Sequence, residues 1–245
     1  MIRLETLRRE FRPTLTLALP LVLAEIGWMC MGIVDTVMVG HLPNSAEAIG
    51  AVSISSNLFN VLGFFGVGLL IGLDTLVAQA FGAGQREDCH RSLLNGIYLS
   101  LAMTPLLMVP IWFLRPLLAA IHVDANVAEL AAPYMKALAI GILPLLLFFA
   151  VRRCMQAMNM VRPIAFALIS ANIINALFNW ILIYGKWGAP RMGVVGSGWS
   201  TTLARVYMAL VLVGYLLWYD RRHRTELLKT PVNIDVARGL PVERR

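Results

Sequence analysis

The sequence predicts an all-α integral membrane protein with six membrane-spanning helices. Of its 245 residues, 58% are hydrophobic and 14% are charged, with a mean hydropathy of +0.71. Apolar stretches long enough to cross a bilayer, about 20 residues each, recur along the chain. The net charge is +7. The basic residues of the chain lie at the ends of these stretches. This position is typical of signals that set membrane topology and not of a nucleic-acid-binding surface.

The apolar stretches define the order of the predicted helices. They lie near residues 14–39, 48–81, 92–120, 127–151, 163–184 and 193–219. Helix-breaking segments such as "HLPNS", "FGAGQ", "NMVRP" and "GKWGAP" separate four neighbouring pairs. The second stretch exceeds one crossing, so we expect it to tilt or to project from the bilayer. The predicted organisation is a cytoplasmic segment 1–13, a transmembrane lobe 14–219 and a polar cytoplasmic tail 220–245.

The distribution of loop cations predicts the orientation. Of the 21 Lys and Arg residues, 16 fall on the side that holds both chain termini, and only Arg115, Lys186 and Arg191 fall on the other. Lys136 and Arg205 lie within or near the spans. Because Lys and Arg accumulate in cytoplasmic loops, both termini are expected in the cytoplasm. The membrane is expected to be the inner membrane of the cell.

Three acidic residues fall inside the predicted spans: Glu25, Asp35 and Asp74. A charged carboxylate in a bilayer is unfavourable by about 2.5 to 3.5 kcal/mol, so each needs a partner, a proton or an ion. Asp74 lies toward the cytoplasmic end of its helix, where water or a loop Arg can compensate it. Glu25 precedes Asp35 by ten residues and lies about 80° away around the helix, so both can line one side of a cavity.

The fifth span carries a polar face. Asn172, Asn175 and Asn179 follow i, i+3, i+7 spacing and therefore lie on one side of the helix. Interhelical hydrogen bonding explains any single Asn well. Three together with Asp35 favour a hydrated cavity or a cation site, because carboxylate and amide oxygens suit hard cations. The three cysteines are scattered and predict neither a disulfide nor a zinc site.

Three segments resemble the multidrug and toxic compound extrusion (MATE) transporters. They are "PLVLAEIGWMCMGIVDTVMVGHL", "GVGLLIGLDTLVAQAFGAGQ" and "NIINALFNWILIYGKWGAPRMGVVGSGWSTTLARV", similar to the family's first, second and fifth-to-sixth helices, the last most similar to the NorM-type branch. The resemblance implies an antiporter, not an enzyme, that exports organic cations, drugs and other xenobiotics in exchange for Na+ or H+. No cofactor other than this coupling ion is expected.

The resemblance also implies roles for individual residues. Asp35 matches the family's coupling aspartate, Asn175 and Asn179 fall on the polar face of the fifth helix, and Thr201 lies opposite on the sixth. If sodium is the coupling ion, Asp35, Asn175 and Asn179 are its expected ligands. Helix spacing, and not the resemblance, adds Asn172 and Glu25 to the predicted cavity.

The resemblance covers one of the two six-helix lobes of these transporters, the N-terminal one. The expected partners are therefore the lipid bilayer, small organic cations, and either the missing C-terminal lobe or a second copy of the chain, but no nucleic acid. The tail is compatible with a truncated inter-lobe linker. Two alternatives stay open: an exporter of lipid-linked or polar metabolites on a related scaffold, and an inactive truncated half-transporter.

Overall fold

A computed structural model describes residues 4–223 as a bundle of helices. In chain order, the helices in this range are α1 (Leu4–Val39), α2 (Ser45–Leu70), α3 (Gly72–Gly82), α4 (Arg86–Trp112), α5 (Leu114–Ala120), α6 (Ala125–Ile140), α7 (Ile142–Ala157), α8 (Arg162–Tyr184) and α9 (Val194–His223). The all-α prediction is confirmed. The predicted tail, from residue 224 onward, lies outside the described residues.

Three of the six predicted spans are interrupted helices. Ile71 separates α2 from α3, Phe113 separates α4 from α5, and Gly141 separates α6 from α7. Pro105 and Pro110 lie inside α4 shortly before its end, and proline removes a backbone donor from the helix. At Gly141 the chain bends by 44°. The sequence analysis treated each of these pairs as one continuous helix.

Several helices are long and apolar enough to cross a membrane. Within the described range these are Ser45–Gly82, Arg86–Trp112, Arg162–Tyr184 and Val194–Arg222, with the bent pair Ala125–Ile140 and Ile142–Ala157 as a fifth. Large apolar side chains such as Phe166, Trp112 and Ile173 are exposed on the outside of the bundle, as lipid-facing residues are. The chain is a multi-pass membrane protein, and the count of six spans stays a prediction.

Close packing of α9 depends on two glycines near its start. A Cβ atom on Gly196 would lie 2.7 Å from the backbone of Leu182 in α8, and one on Gly198 would lie 3.0 Å from the carbonyl oxygen of Tyr134 in α6. Glycine at these two positions therefore lets α9 approach its neighbours closely, as small residues do in membrane helices. These contacts bring α9 against the polar face of α8.

Helix α1 lies beside α8 in the same direction. Asn172 Nδ2 donates to the carbonyl oxygen of Gly27 at 2.8 Å, and Tyr184 Oη donates to that of Met38 at 2.7 Å. The two helices are therefore parallel, as the first and fifth spans of one bundle must be. The C-terminal part of α1, which carries Asp35, is held against the Asn-bearing face of α8.

Candidate functional site

Asp35 is buried inside the bundle and bonded by two other helices. Asn179 Nδ2, from α8, donates to its Oδ1 at 2.5 Å, and Thr201 Oγ1, from α9, donates to its Oδ2 at 2.7 Å. Only 4% of Asp35 is exposed. The two donors offset part of the cost of removing the carboxylate from water. The structure thus brings together residues that are as many as 166 positions apart in the sequence.

The second asparagine extends this polar cluster, which we define as Asp35, Asn175, Asn179 and Thr201. Asn179 Nδ2 also donates to Asn175 Oδ1 at 3.2 Å, and Asn175 Nδ2 donates to Thr201 Oγ1 at 3.4 Å. Asn175 and Asn179 are both fully buried. Every member therefore contacts at least one other member, and no lipid-facing surface is involved.

Asn179 Oδ1 is buried and has no hydrogen-bond partner within the described part of the chain. An unpartnered buried acceptor is costly. With the Asp35 carboxylate, Asn175 Oδ1 and the Thr201 hydroxyl, it makes the cluster rich in oxygen atoms. Such a set suits a small hard cation, and the carboxylate alone suits a proton.

A cavity of about 370 Å³ opens beside the cluster. Asp35 and Thr201 lie on its wall, together with Ser56, Tyr134 and Arg205. Its remaining lining is largely apolar and comes from α1, α2 and α6, including Trp28, Met31, Phe59, Phe64 and Leu138. An apolar cavity with a few converging polar groups is the usual form of a small-molecule site.

Two of the predicted site residues lie outside the polar cluster. Asn172 occupies the same face of α8 but bonds to Gly27 of α1 at 2.8 Å, about two helical turns from Asp35 at 3.6 residues per turn. Glu25 is paired with Arg152 of α7, and neither residue lines the cavity beside Asp35. Asp74 is paired with Arg153 at 3.1 Å, one of the two possibilities that the sequence left open.

Arg205 and Tyr134 are cavity residues that the sequence analysis did not select. Arg205 lies on α9 one turn after Thr201, and Tyr134 Oη lies 3.3 Å from Ser56 Oγ. The signal that could have found Arg205 is its spacing. Arg205 follows Thr201 at i, i+4 spacing, so the two share a helix face.

A bundle of membrane helices that buries a carboxylate among amide and hydroxyl groups, beside a cavity, defines a multi-pass membrane protein with a polar internal site. Residues 20–181 match the family MatE. The chain belongs to this family, the MATE transporters.

Individual relatives agree with this assignment. The chain is 34% identical over 210 residues to the probable multidrug resistance protein NorM of Bradyrhizobium diazoefficiens, covering 85% of this chain and 44% of that protein. It is 35% identical over 217 residues to the multidrug resistance protein MdtK of Klebsiella pneumoniae, covering 88% and 46%.

The fold agrees as well. The crystal structure of the eukaryotic MATE transporter AtDTX14 superposes with a TM-score of 0.77 at 20% identity, over 92% of this chain and 49% of that one. The chain therefore spans about half the length of the relatives and structures that it matches, which corresponds to one lobe.

Proposed function

We propose that this chain is one lobe of a cation-coupled exporter of organic cations, drugs and other xenobiotics, and that Asp35 is its coupling carboxylate. The observation that carries the proposal is the position of Asp35. It is buried, bonded by Asn179 and Thr201, and on the wall of a cavity large enough for a small molecule. A carboxylate in this position interacts strongly with any cation that enters, whether ion or substrate.

Exchange of the coupling ion for the substrate follows because both compete for the single negative charge of Asp35. When Na+ or H+ neutralises Asp35, a cationic substrate loses its principal electrostatic partner in the cavity. When the ion leaves, the carboxylate is again available to the substrate. If the ion is Na+, Asp35, Asn175 and Asn179 supply its ligands together with the Thr201 hydroxyl. The unpartnered Asn179 Oδ1 supports this assignment.

Transport by alternating access requires two bundles that move against each other around a central site. The proposal therefore includes a second lobe, either a complementary C-terminal lobe or a second copy of this chain. We also propose that the protein lies in the inner membrane with both termini in the cytoplasm, as the loop charges favour.

The test compares Asp35→Asn with Asp74→Asn, the matched control at another carboxylate in a membrane helix. In vesicles that contain this chain with its second lobe, Asp35→Asn should abolish efflux driven by an Na+ or H+ gradient, while Asp74→Asn should retain it. Asn175→Ala should weaken coupling more than Asn172→Ala, because Asn172 lies outside the polar cluster. Gradient-driven efflux at the wild-type rate by a folded Asp35→Asn protein would refute the proposal.

A binding measurement separates coupling from a structural role. A ligand present at about 100 times its Kd stabilises a protein by about 2.7 kcal/mol. Na+, or acidification if the ion is H+, should therefore raise the melting temperature of the wild-type chain and of Asp74→Asn, but not of Asp35→Asn. A purely structural Asp35 predicts a lower melting temperature for Asp35→Asn with the ion-induced increase unchanged.

A further inference from the structure

Arg205 is a buried cation that no carboxylate of the described side chains contacts within 4.0 Å. It is 6% exposed, and its Nε atom has no hydrogen-bond partner among the described residues. Its Nη1 donates to the carbonyl oxygen of Leu138 at 3.4 Å, a long contact. A guanidinium carries five N–H donors; the Nε–H is itself buried, so it is the terminal amino groups that can reach a molecule in the cavity.

The protein holds this guanidinium in a fixed place. Its Cζ lies 4.2 Å from the ring centroid of Phe59 in α2. A Cβ atom on Gly141, at the bend between α6 and α7, would lie 3.1 Å from its Nη1. The ring face and the bare backbone at Gly141 therefore form a slot for the planar group, and stacking on an aromatic ring partly compensates its charge.

Asp35 attracts Arg205 through its charge but makes no direct contact with it. Its two carboxylate oxygens accept from Asn179 and Thr201, and no carboxylate of the described side chains lies within 4.0 Å of the guanidinium. A buried guanidinium that no carboxylate contacts has its desolvation only partly offset by a more distant charge. A chain that retains one at a cavity wall therefore presents a site for an anionic group.

Arg205 and Asp35 line the same cavity. Thr201, which bonds to Asp35, is one turn before Arg205 on α9, or about 6 Å along the helix at 1.5 Å per residue. The cavity wall thus offers one negative group from α1 and one positive group from α9. Tyr134 Oη and Ser56 Oγ add a neutral hydroxyl pair.

We propose that Arg205 is the anion-binding residue of this cavity, and that the cavity selects zwitterionic amphiphiles whose carboxylate binds Arg205 while their ammonium group binds Asp35. This inference rests on the proposed export function and narrows its substrate class. A bare organic cation meets attraction from Asp35 and repulsion from Arg205. A zwitterion of matching charge separation meets two attractions, and its ammonium group still competes with the coupling ion.

Three fluorescent probes with the same dansyl group test the proposal on the purified chain in lipid nanodiscs. Nα-dansyl-lysine carries a carboxylate and a distant ammonium group. Its methyl ester keeps only the cation, and dansyl-norleucine keeps only the anion. We expect wild-type protein to bind the zwitterion at least tenfold more tightly than the ester. In Arg205→Gln this ratio should fall to about one, and Arg205→Lys should give an intermediate ratio because it lacks the planar fork.

Two variants serve as matched controls. Arg115→Gln removes the same charge from an exposed residue that does not line the cavity, and it should leave the ratio unchanged. Asp35→Asn should weaken the zwitterion and the ester but not dansyl-norleucine. Equal binding of zwitterion and ester by wild-type protein, or failure of all three probes to bind, would overturn the proposal, and this comparison needs no variant to fold.

The same experiment distinguishes failure of this inference from failure of the proposed function. Suppose that Na+ or acid displaces the ester from wild-type protein but that zwitterion and ester bind equally. This result supports competition between ion and substrate and refutes the proposed role of Arg205. Suppose instead that the zwitterion binds more tightly than the ester, that Arg205→Gln removes this difference, and that neither Na+ nor acid displaces the zwitterion. This result supports the anion site and refutes ion coupling. A structural role for Arg205 predicts a lower melting temperature for Arg205→Gln with no change in the ratio.

Discussion

Substitution of Gly196 by alanine should separate α8 from α9 and destabilise the bundle. The added Cβ atom would lie 2.7 Å from both the carbonyl carbon and the carbonyl oxygen of Leu182, and 2.9 Å from the nitrogen of Ile183. Non-bonded heavy atoms prefer separations of about 3.5 to 4.0 Å, so the helices must move apart by up to roughly 1 Å. Backbone atoms cannot rotate away as a side chain can.

Gly214→Ala is the matched control, because it lies on the same helix and its Cβ would have no atom within 4 Å. Alanine in a helix interior is more favourable than glycine by about 0.8 to 1.0 kcal/mol. Overpacking costs about 1 to 3 kcal/mol. Gly196→Ala should therefore be less stable than Gly214→Ala by about 1 to 3 kcal/mol, since both gain the same helix propensity.

The assay is thermal unfolding in detergent, followed by intrinsic fluorescence. For a chain of this size each kcal/mol shifts the melting temperature by about 2 to 4 °C, so the two variants should differ by roughly 2 to 12 °C. Because Asn175 and Thr201 bond across the same helix pair at 3.4 Å, Gly196→Ala should also reduce stabilisation by the coupling ion. A Gly196→Ala protein as stable as Gly214→Ala would refute the packing argument.

Three further outcomes are expected. A thiol introduced at Asn44 should react only with reagent applied from outside the cell, and exclusive labelling from the cytoplasm would reverse the topology. Arg153→Gln should cost at most about 1 kcal/mol, because its pair with Asp74 is partly exposed, with side chains 23% and 36% accessible; unfolding measurements would detect a larger loss. A demonstrably monomeric form of this chain should not carry out drug efflux, and vesicle transport by such a form would contradict the requirement for a second lobe.

Local physical rules were enough to predict the helical bundle and the polar face of α8 from the sequence. Apolar length marks a membrane helix, and i, i+3, i+7 spacing marks a face. Placement of Asn175, Asn179 and Thr201 around Asp35 came from the family resemblance, because spacing within one helix does not tell which neighbour that helix contacts. Their part in ion coupling stays a prediction.

The features that the sequence did not predict depend on contacts between helices. Helical angles put Glu25 near the same side as Asp35, but they carry no information on Arg152, which pairs with it from α7. Arg205 was left without a role, since its spacing from Thr201 indicates a shared helix face but not what that face contacts. Its partner surfaces, Phe59 and Gly141, come from other helices. The breaks at Ile71 and Phe113 lie beside glycine or proline residues, but in an otherwise continuous apolar run these residues do not fix where a helix is interrupted.

The parallel arrangement of α1 and α8 couples axial movements at different positions along α1 to one another. Three polar contacts join the two helices at successive heights: Gly27 with Asn172, Asp35 with Asn179, and Met38 with Tyr184. An axial slide of α1 stretches all three at once. Any event that pushes Asp35 along the axis away from Asn179 must therefore also strain the contacts above and below it. Local rearrangement at the carboxylate is in this way converted into displacement of a whole helix.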